Sequence, residues 1–187
     1  MADKTIASSY ANPFAALQWQ PMLTYSAGAS RVFMLGGAAV TLASSLQTIL
    51  DPAPGLVLDL PAGLPTSIAV GGVPLTADGM TPTLDAAKSI DVDIIADQPA
   101  NTWYQAALIE ITVVGTMVMR TPVIAVSGPA PHLALPPKVM VPGHTYTLVA
   151  ACIAGGFRNA AAGDLQTFTL PVSIGQASSG VFTVVAP

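Results

Sequence analysis

Apolar residues recur at every second position in several separate segments of this chain, which is the pattern of half-buried β-strands. Residues 90–96 place Ile90, Val92 and Ile94 on one face and Asp91 and Asp93 on the other. Gly and Pro turns separate such segments at intervals of about 10–15 residues. The predicted strands cover residues 55–60, 66–75, 90–96, 103–114, 117–126, 132–135, 145–153, 167–174 and 181–185. The pattern therefore predicts an all-β fold, an antiparallel β-sandwich rather than alternating strands and helices.

The first third of the chain allows two interpretations. Gly36 and Gly37 separate apolar runs at residues 32–35 and 38–42, which predicts a β-hairpin. The spacing of Leu42, Leu46 and Ile49 instead fits one short helix over residues 39–50. A Pro- and Gly-rich stretch then follows at residues 51–55. We therefore expect an N-terminal β-rich extension at residues 1–54 and a sandwich domain at residues 55–187.

Residues 142–151 read as a tight turn that leads into a strand. Gly143 follows Pro142 in the turn, and Tyr146 lies just inside the strand. β-Sandwiches place a tyrosine at such a corner, where its hydroxyl bonds to the backbone a few residues upstream. We therefore assign structural roles to Gly143 and Tyr146.

Residues 85–175 resemble a fibronectin type III or related immunoglobulin-like domain. The run Val-Pro-Gly-His-Thr-Tyr-Thr-Leu-Val-Ala-Ala at residues 141–151 resembles the family's passage from strand E into strand F. The resemblance implies strand B at residues 90–96, strand C at 103–113, strand E at 132–135 and strand G at 167–174. An immunoglobulin-like fold hosts many functions, so the fold alone assigns none.

Charge is scarce in this chain. Only 9% of the residues are charged, whereas 52% are hydrophobic, and the net charge is −4. The six basic residues are scattered singly, which argues against nucleic-acid binding and against a basic membrane-surface contact. A surface this poor in charge favours an extracellular or cell-surface location, with a virion or another assembly as the alternative.

The sequence gives little indication of a signal peptide, a membrane span or a disulfide. The chain opens on polar residues without an apolar signal segment. Residues 32–50 are uncharged but interrupted by Gly, Ser, Thr and Gln, so we do not expect a membrane span. Cys152 is the single cysteine and lies in an apolar run, which predicts a buried structural residue.

No catalytic motif stands out in the sequence. It contains no nucleophile elbow, no phosphate-binding glycine loop and no closely spaced metal ligands. His132 and His144 lie 12 positions apart, and we interpret them as surface loop residues. We therefore expect a protein that is not an enzyme and that needs no cofactor.

Two groups of residues are candidates for binding. Asp91, Asp93 and Asp97 could hold calcium, although outward carboxylates that keep a strand soluble explain them more simply. Trp103 and Tyr104 follow a turn and could form a contact surface, with core burial as the simpler alternative for Trp103.

The strand pattern predicts one further contact, a cross-strand ion pair between Glu110 and Arg120. The function expected from all these features is a non-catalytic extracellular or cell-surface module for adhesion, spacing or protein binding. The alternative is a self-assembling structural subunit of a coat, capsid or filament. In both cases the partner is a protein, either another chain or a second copy.

Overall fold

The computed structural model describes residues 22–50, 63–96, 102–156 and 169–187, which form eleven β-strands and no helix within these ranges. The strands are β1 (Leu23–Leu35), β2 (Ala38–Leu50), β3 (Pro65–Val70), β4 (Val73–Pro74), β5 (Ile90–Ala96), β6 (Thr102–Val114), β7 (Met117–Gly128), β8 (His132–Leu135), β9 (Thr145–Gly156), β10 (Thr169–Ser178) and β11 (Phe182–Thr183). The prediction of an all-β fold is confirmed. The strand predicted at residues 55–60 and the boundary at residues 54–55 lie outside the described residues.

The strands form two antiparallel sheets. The larger has the order β1-β2-β10-β9-β6-β7, with β11 continuing beside β9, and the smaller has the order β4-β3-β5-β8. β7 lies at the end of its sheet and contains Pro122, which suits an edge strand because proline cannot donate a hydrogen bond to a neighbouring strand.

The main core lies between the two sheets and follows the alternation of each strand. β5 buries Ile90, Val92 and Ile94, and β9 supplies Tyr146 and Leu148 from the facing sheet. Burial of such side chains is the main favourable contribution to folding, at about 25 cal/mol per Å² of apolar surface. This core therefore anchors β5, β6 and β9, the central strands of the sandwich.

Residues 39–50 are a strand, so the helix interpretation is wrong and the hairpin interpretation is correct. β2 pairs with β1 along all 13 residues and with β10 through residues 44–49. Gly36 and Gly37 both have positive φ in the turn, which other residues adopt at a cost. The strand is favoured over a helix because β2 forms backbone hydrogen bonds with both β1 and β10. A local sequence pattern does not reveal these partners.

A second, small core joins the ends of two long hairpins. Val40 and Leu42 of β2 are buried together with Ile111 of β6 and Val181, and Val118 of β7 packs against them. Arg120 donates a hydrogen bond to the carbonyl oxygen of Thr41 across the same junction. We call these two hairpin ends, residues 31–42 and 110–120, the hairpin lobe.

Candidate functional site

The corner at the start of β9 is built around Tyr146. The backbone N–H of Val141 donates a hydrogen bond of 2.9 Å to the Tyr146 hydroxyl, and the ring packs beside Phe182. Burial raises the pKa of Tyr146 against the opposing effect of this hydrogen bond. Gly143 has a φ of +83°, which glycine adopts without strain. Both residues shape the corner, and neither presents a reactive group to solvent.

A cleft of about 340 Å³ lies between this corner and the hairpin lobe. Its wall carries Glu110 of β6, whose carboxylate lies 2.8 Å from Nδ1 of His144. The predicted ion pair between Glu110 and Arg120 is wrong, because Arg120 lies opposite Ile111 and reaches Thr41 instead. Glu110 and Tyr146 occupy one face of the sheet, whereas Arg120 follows the opposite face. The Glu110–His144 pair ties the turn to β6.

The acidic residues of β5 lie beside a histidine. Nδ1 of His132 on β8 is 2.7 Å from Asp93, and its Nε2 is 3.6 Å from Asp91. The hydrogen bond to Asp93 raises the pKa of His132, and the charges of both aspartates add to the effect while burial opposes it. Asp97 lies outside the described residues. No metal-binding group of three or more side chains occurs in the described parts of the chain, and the calcium site stays a prediction.

Trp103 and Tyr104 lie on opposite faces of β6, and each is partly buried. Tyr104 packs against the main core, where burial raises its pKa. Trp103 lies opposite Ile153 on the other face of the sheet. The two rings therefore do not form one surface, and a role for either in binding stays a prediction.

Cys152 is fully buried in the main core. Burial raises the pKa of its thiol to about 11, which keeps it protonated at neutral pH. A protonated, buried thiol is a poor nucleophile and packs as a small apolar side chain.

The hairpin lobe presents apolar side chains on its outward faces. Val32 and Met34 alternate with Phe33 and Leu35, which pack against the small core, and are 62% and 58% exposed. On the other hairpin the outward residues are Val114, Met117 and Met119, which are 59%, 65% and 50% exposed. Each hairpin thus carries its own group of exposed apolar side chains, and such groups occur at protein-binding surfaces. Flexible methionines are common at such surfaces.

Among the described strands, β1 pairs with β2 alone, so its other edge is free. Leu35 and Ala38 close a two-residue turn, so the odd-numbered residues of β1 exchange their backbone hydrogen bonds with β2. The N–H and C=O groups of Thr24, Ser26, Gly28, Ser30, Val32 and Met34 therefore point away from the sheet. Thirteen residues span about 43 Å of strand. The edge is a long row of unpaired backbone N–H and C=O groups on a strand that has one charged residue, Arg31.

The sequence did not single out this edge or the outward methionines. β1, β2 and β6 have 13 residues each, more than twice the common strand length of about five or six. Apolar segments of this length could have indicated hairpins that extend beyond the sandwich. The positions of Met117 and Met119, two apart beside the turn at Gly115, place both side chains on one face. Their exposure depends on what covers that face, which the sequence does not reveal.

Comparisons of the chain with protein-family profiles, with curated proteins and with solved structures give no significant match. Within the described residues, no helix has the length and apolar character needed to cross a membrane.

Proposed function

We propose that this chain is a non-catalytic β-sandwich module, of the immunoglobulin and fibronectin type III kind, that binds protein outside the cell. The strand order supports the fold assignment, because β3-β5-β8 corresponds to strands A-B-E of such a domain. β10-β9-β6 then corresponds to G-F-C, with β7 as C′. Tyr146 at the start of strand F occupies the tyrosine corner.

The observation that carries the binding role is the set of outward apolar residues on the hairpin lobe. Val32, Met34, Val114, Met117 and Met119 are all at least half exposed. Burying this much apolar surface against a partner would contribute favourably to association at about 25 cal/mol per Å². The extracellular location is proposed from the low charge of the chain, since 9% charged residues is well below the roughly 25% of ordinary soluble domains.

Site-specific photocrosslinking in the producing cells tests the binding role. A photoreactive residue in place of Met119 should give crosslinks to protein, whereas one in place of exposed Ala134 on β8 should give few. Equal yields at the two positions would contradict a role for the lobe. Protease added to intact cells should degrade the protein if it lies outside the cell, and full protection would contradict that location.

A second candidate function is a structural subunit that assembles with copies of itself. The observation that favours it is the free edge of β1, since an unpaired strand can add to another sheet. Calcium binding at Asp91 and Asp93 remains a minor part of both proposals. A shift in the melting temperature with calcium, absent in Asp93→Ala, would support it, and no shift would remove it.

A further inference from the structure

The sequence of β1 has nearly the same pattern in both directions. Its centre is the small-residue run Ala27-Gly28-Ala29-Ser30. An aromatic residue lies four positions to either side of Ala29, Tyr25 before it and Phe33 after it. A strand with this pattern can lie antiparallel to an identical strand with Gly, Ala and Ser facing one another at the centre and an aromatic pair on either side.

We propose that β1 pairs antiparallel with β1 of a second copy of this chain, about a two-fold axis at Ala29. The proposal deepens the second candidate function, association of copies of this chain through the free edge of β1, and limits it to a closed dimer. Gly28 would then lie opposite Ser30 of the second copy, and Ser26 opposite its Val32. These are even-numbered residues whose N–H and C=O groups point away from β2. The pairing would form about 12 interchain hydrogen bonds and join two sheets into one.

Charge along β1 permits this pairing. Arg31 is its only charged residue, and its guanidinium already forms an ion pair with Asp78 and donates a hydrogen bond of 2.9 Å to the carbonyl oxygen of Ser179. In the proposed register Arg31 lies opposite Ala27 of the second copy. No like charges therefore face each other, which would be destabilising across a strand pair.

The side chains that meet across the axis suit a close approach. Ala29 is exposed and small, so two copies of it fit at the two-fold axis. Tyr25 would lie opposite Phe33 of the second copy at both ends of the pair, and aromatic pairs are favourable cross-strand contacts. A two-fold contact uses the same edge on both chains, so it closes at a dimer and leaves no free β1 edge.

Introducing a charge at the axis tests the proposal. We expect the wild-type protein to have twice the 18.9 kDa mass of one chain in sedimentation equilibrium. Ala29→Lys and Ala29→Glu should each weaken the dimer about tenfold or more, because each places like charges at the axis. An equimolar mixture of the two variants, one isotopically labelled, should restore a mixed dimer in native mass spectrometry. Circular dichroism confirms that each variant is folded.

The matched control is Ala125→Lys, an exposed alanine on β7 at the other edge of the same sheet, which should leave the dimer intact. A wild-type monomer at all accessible concentrations would overturn the proposal. So would a dimer that survives both Ala29 variants, or one broken by Ala125→Lys. A mixture that stays monomeric would overturn the two-fold register. If the protein is monomeric but Met119 still crosslinks to other proteins, the dimer fails while the proposed binding role stands.

Discussion

β1 and β7 are the two ends of one sheet, similar in length and exposure, yet only β7 carries features that prevent pairing. β7 contains Pro122 and a bulge opposite residues 108–109, and its Arg120, like Arg31 of β1, is already bonded within the chain. From the turn at Gly115 and Thr116, Pro122 falls at a position whose nitrogen faces outward, so this edge lacks one donor. β1 contains no proline, no bulge and one charged residue, which is already paired within the chain.

The two edges are similarly exposed but differ in the features that block strand pairing. Edge strands that must stay unpaired usually carry proline, charge or a bulge, as β7 does. An edge of 13 residues without these devices either aggregates or has a partner. We therefore regard β7 as the closed end of the sheet and β1 as its open end.

The largest expected loss of stability comes from a change in the small core that anchors β1 and β2. Leu42 is buried in the small core that holds the β1–β2 hairpin. We expect Leu42→Ala to lower the free energy of unfolding by about 2–3 kcal/mol, at the low end for leucine because a small cluster relaxes easily. Hydrogen exchange should quicken in β1 and β2 more than in β6 and β7. Leu148→Ala in the main core is the control and should quicken exchange throughout, and the same uniform result for Leu42→Ala would contradict separate anchoring.

The centre of the sheet provides a variant that separates stability from association. Tyr146→Phe removes the acceptor of the Val141 N–H and should cost about 1–3 kcal/mol of stability in urea unfolding. Because Tyr146 is far from β1 in the strand order, the mass in solution should not change. Unchanged stability would contradict the corner assignment. Loss of the dimer would contradict the expectation that the centre of the sheet sets stability and the β1 edge sets association.

Substitution of Pro122 tests whether proline keeps the β7 edge unpaired. Pro122→Val restores an outward donor at the closed edge, and we expect a change of only about 0.5 kcal/mol in stability, as for an exposed substitution. Association should increase, with species larger than the wild type in light scattering. Thr121→Val, at the neighbouring position, is the control for added hydrophobicity. Equal association of both variants would show that proline does not protect this edge.

The smallest expected effect concerns His132, which lies on the other sheet. Its pKa in the fold is above that of the unfolded chain, so protonated His132 stabilises the fold at pH below about 6.5. The contribution disappears as the pH rises through the raised pKa. NMR titration should show a lower pKa for His132 in Asp93→Asn, and an unchanged value would contradict the role of Asp93. Association through β1 should not follow this titration.

Strands whose pattern is local could be predicted from the sequence. Ile90–Ala96 and His132–Leu135 have the predicted bounds, because alternation with a period of two and flanking turn residues are properties of a short segment. Cys152 is buried as its apolar surroundings predict. The hairpin at Gly36 and Gly37 could also be predicted from the sequence, since its turn needs residues that tolerate positive φ.

Which strands pair and which edges remain free depends on tertiary contacts that the sequence pattern does not reveal. β2 is a strand because it joins β1 to β10, whose residues lie more than 120 positions later in the sequence. For the same reason Arg120 reaches Thr41 instead of Glu110, and Asp93 meets His132. The exposure of β1, on which the proposed dimer depends, is set by the absence of a further strand beside it in the described sheet. Such pairings depend on closing long loops and filling a common core, and neither is encoded in a local pattern.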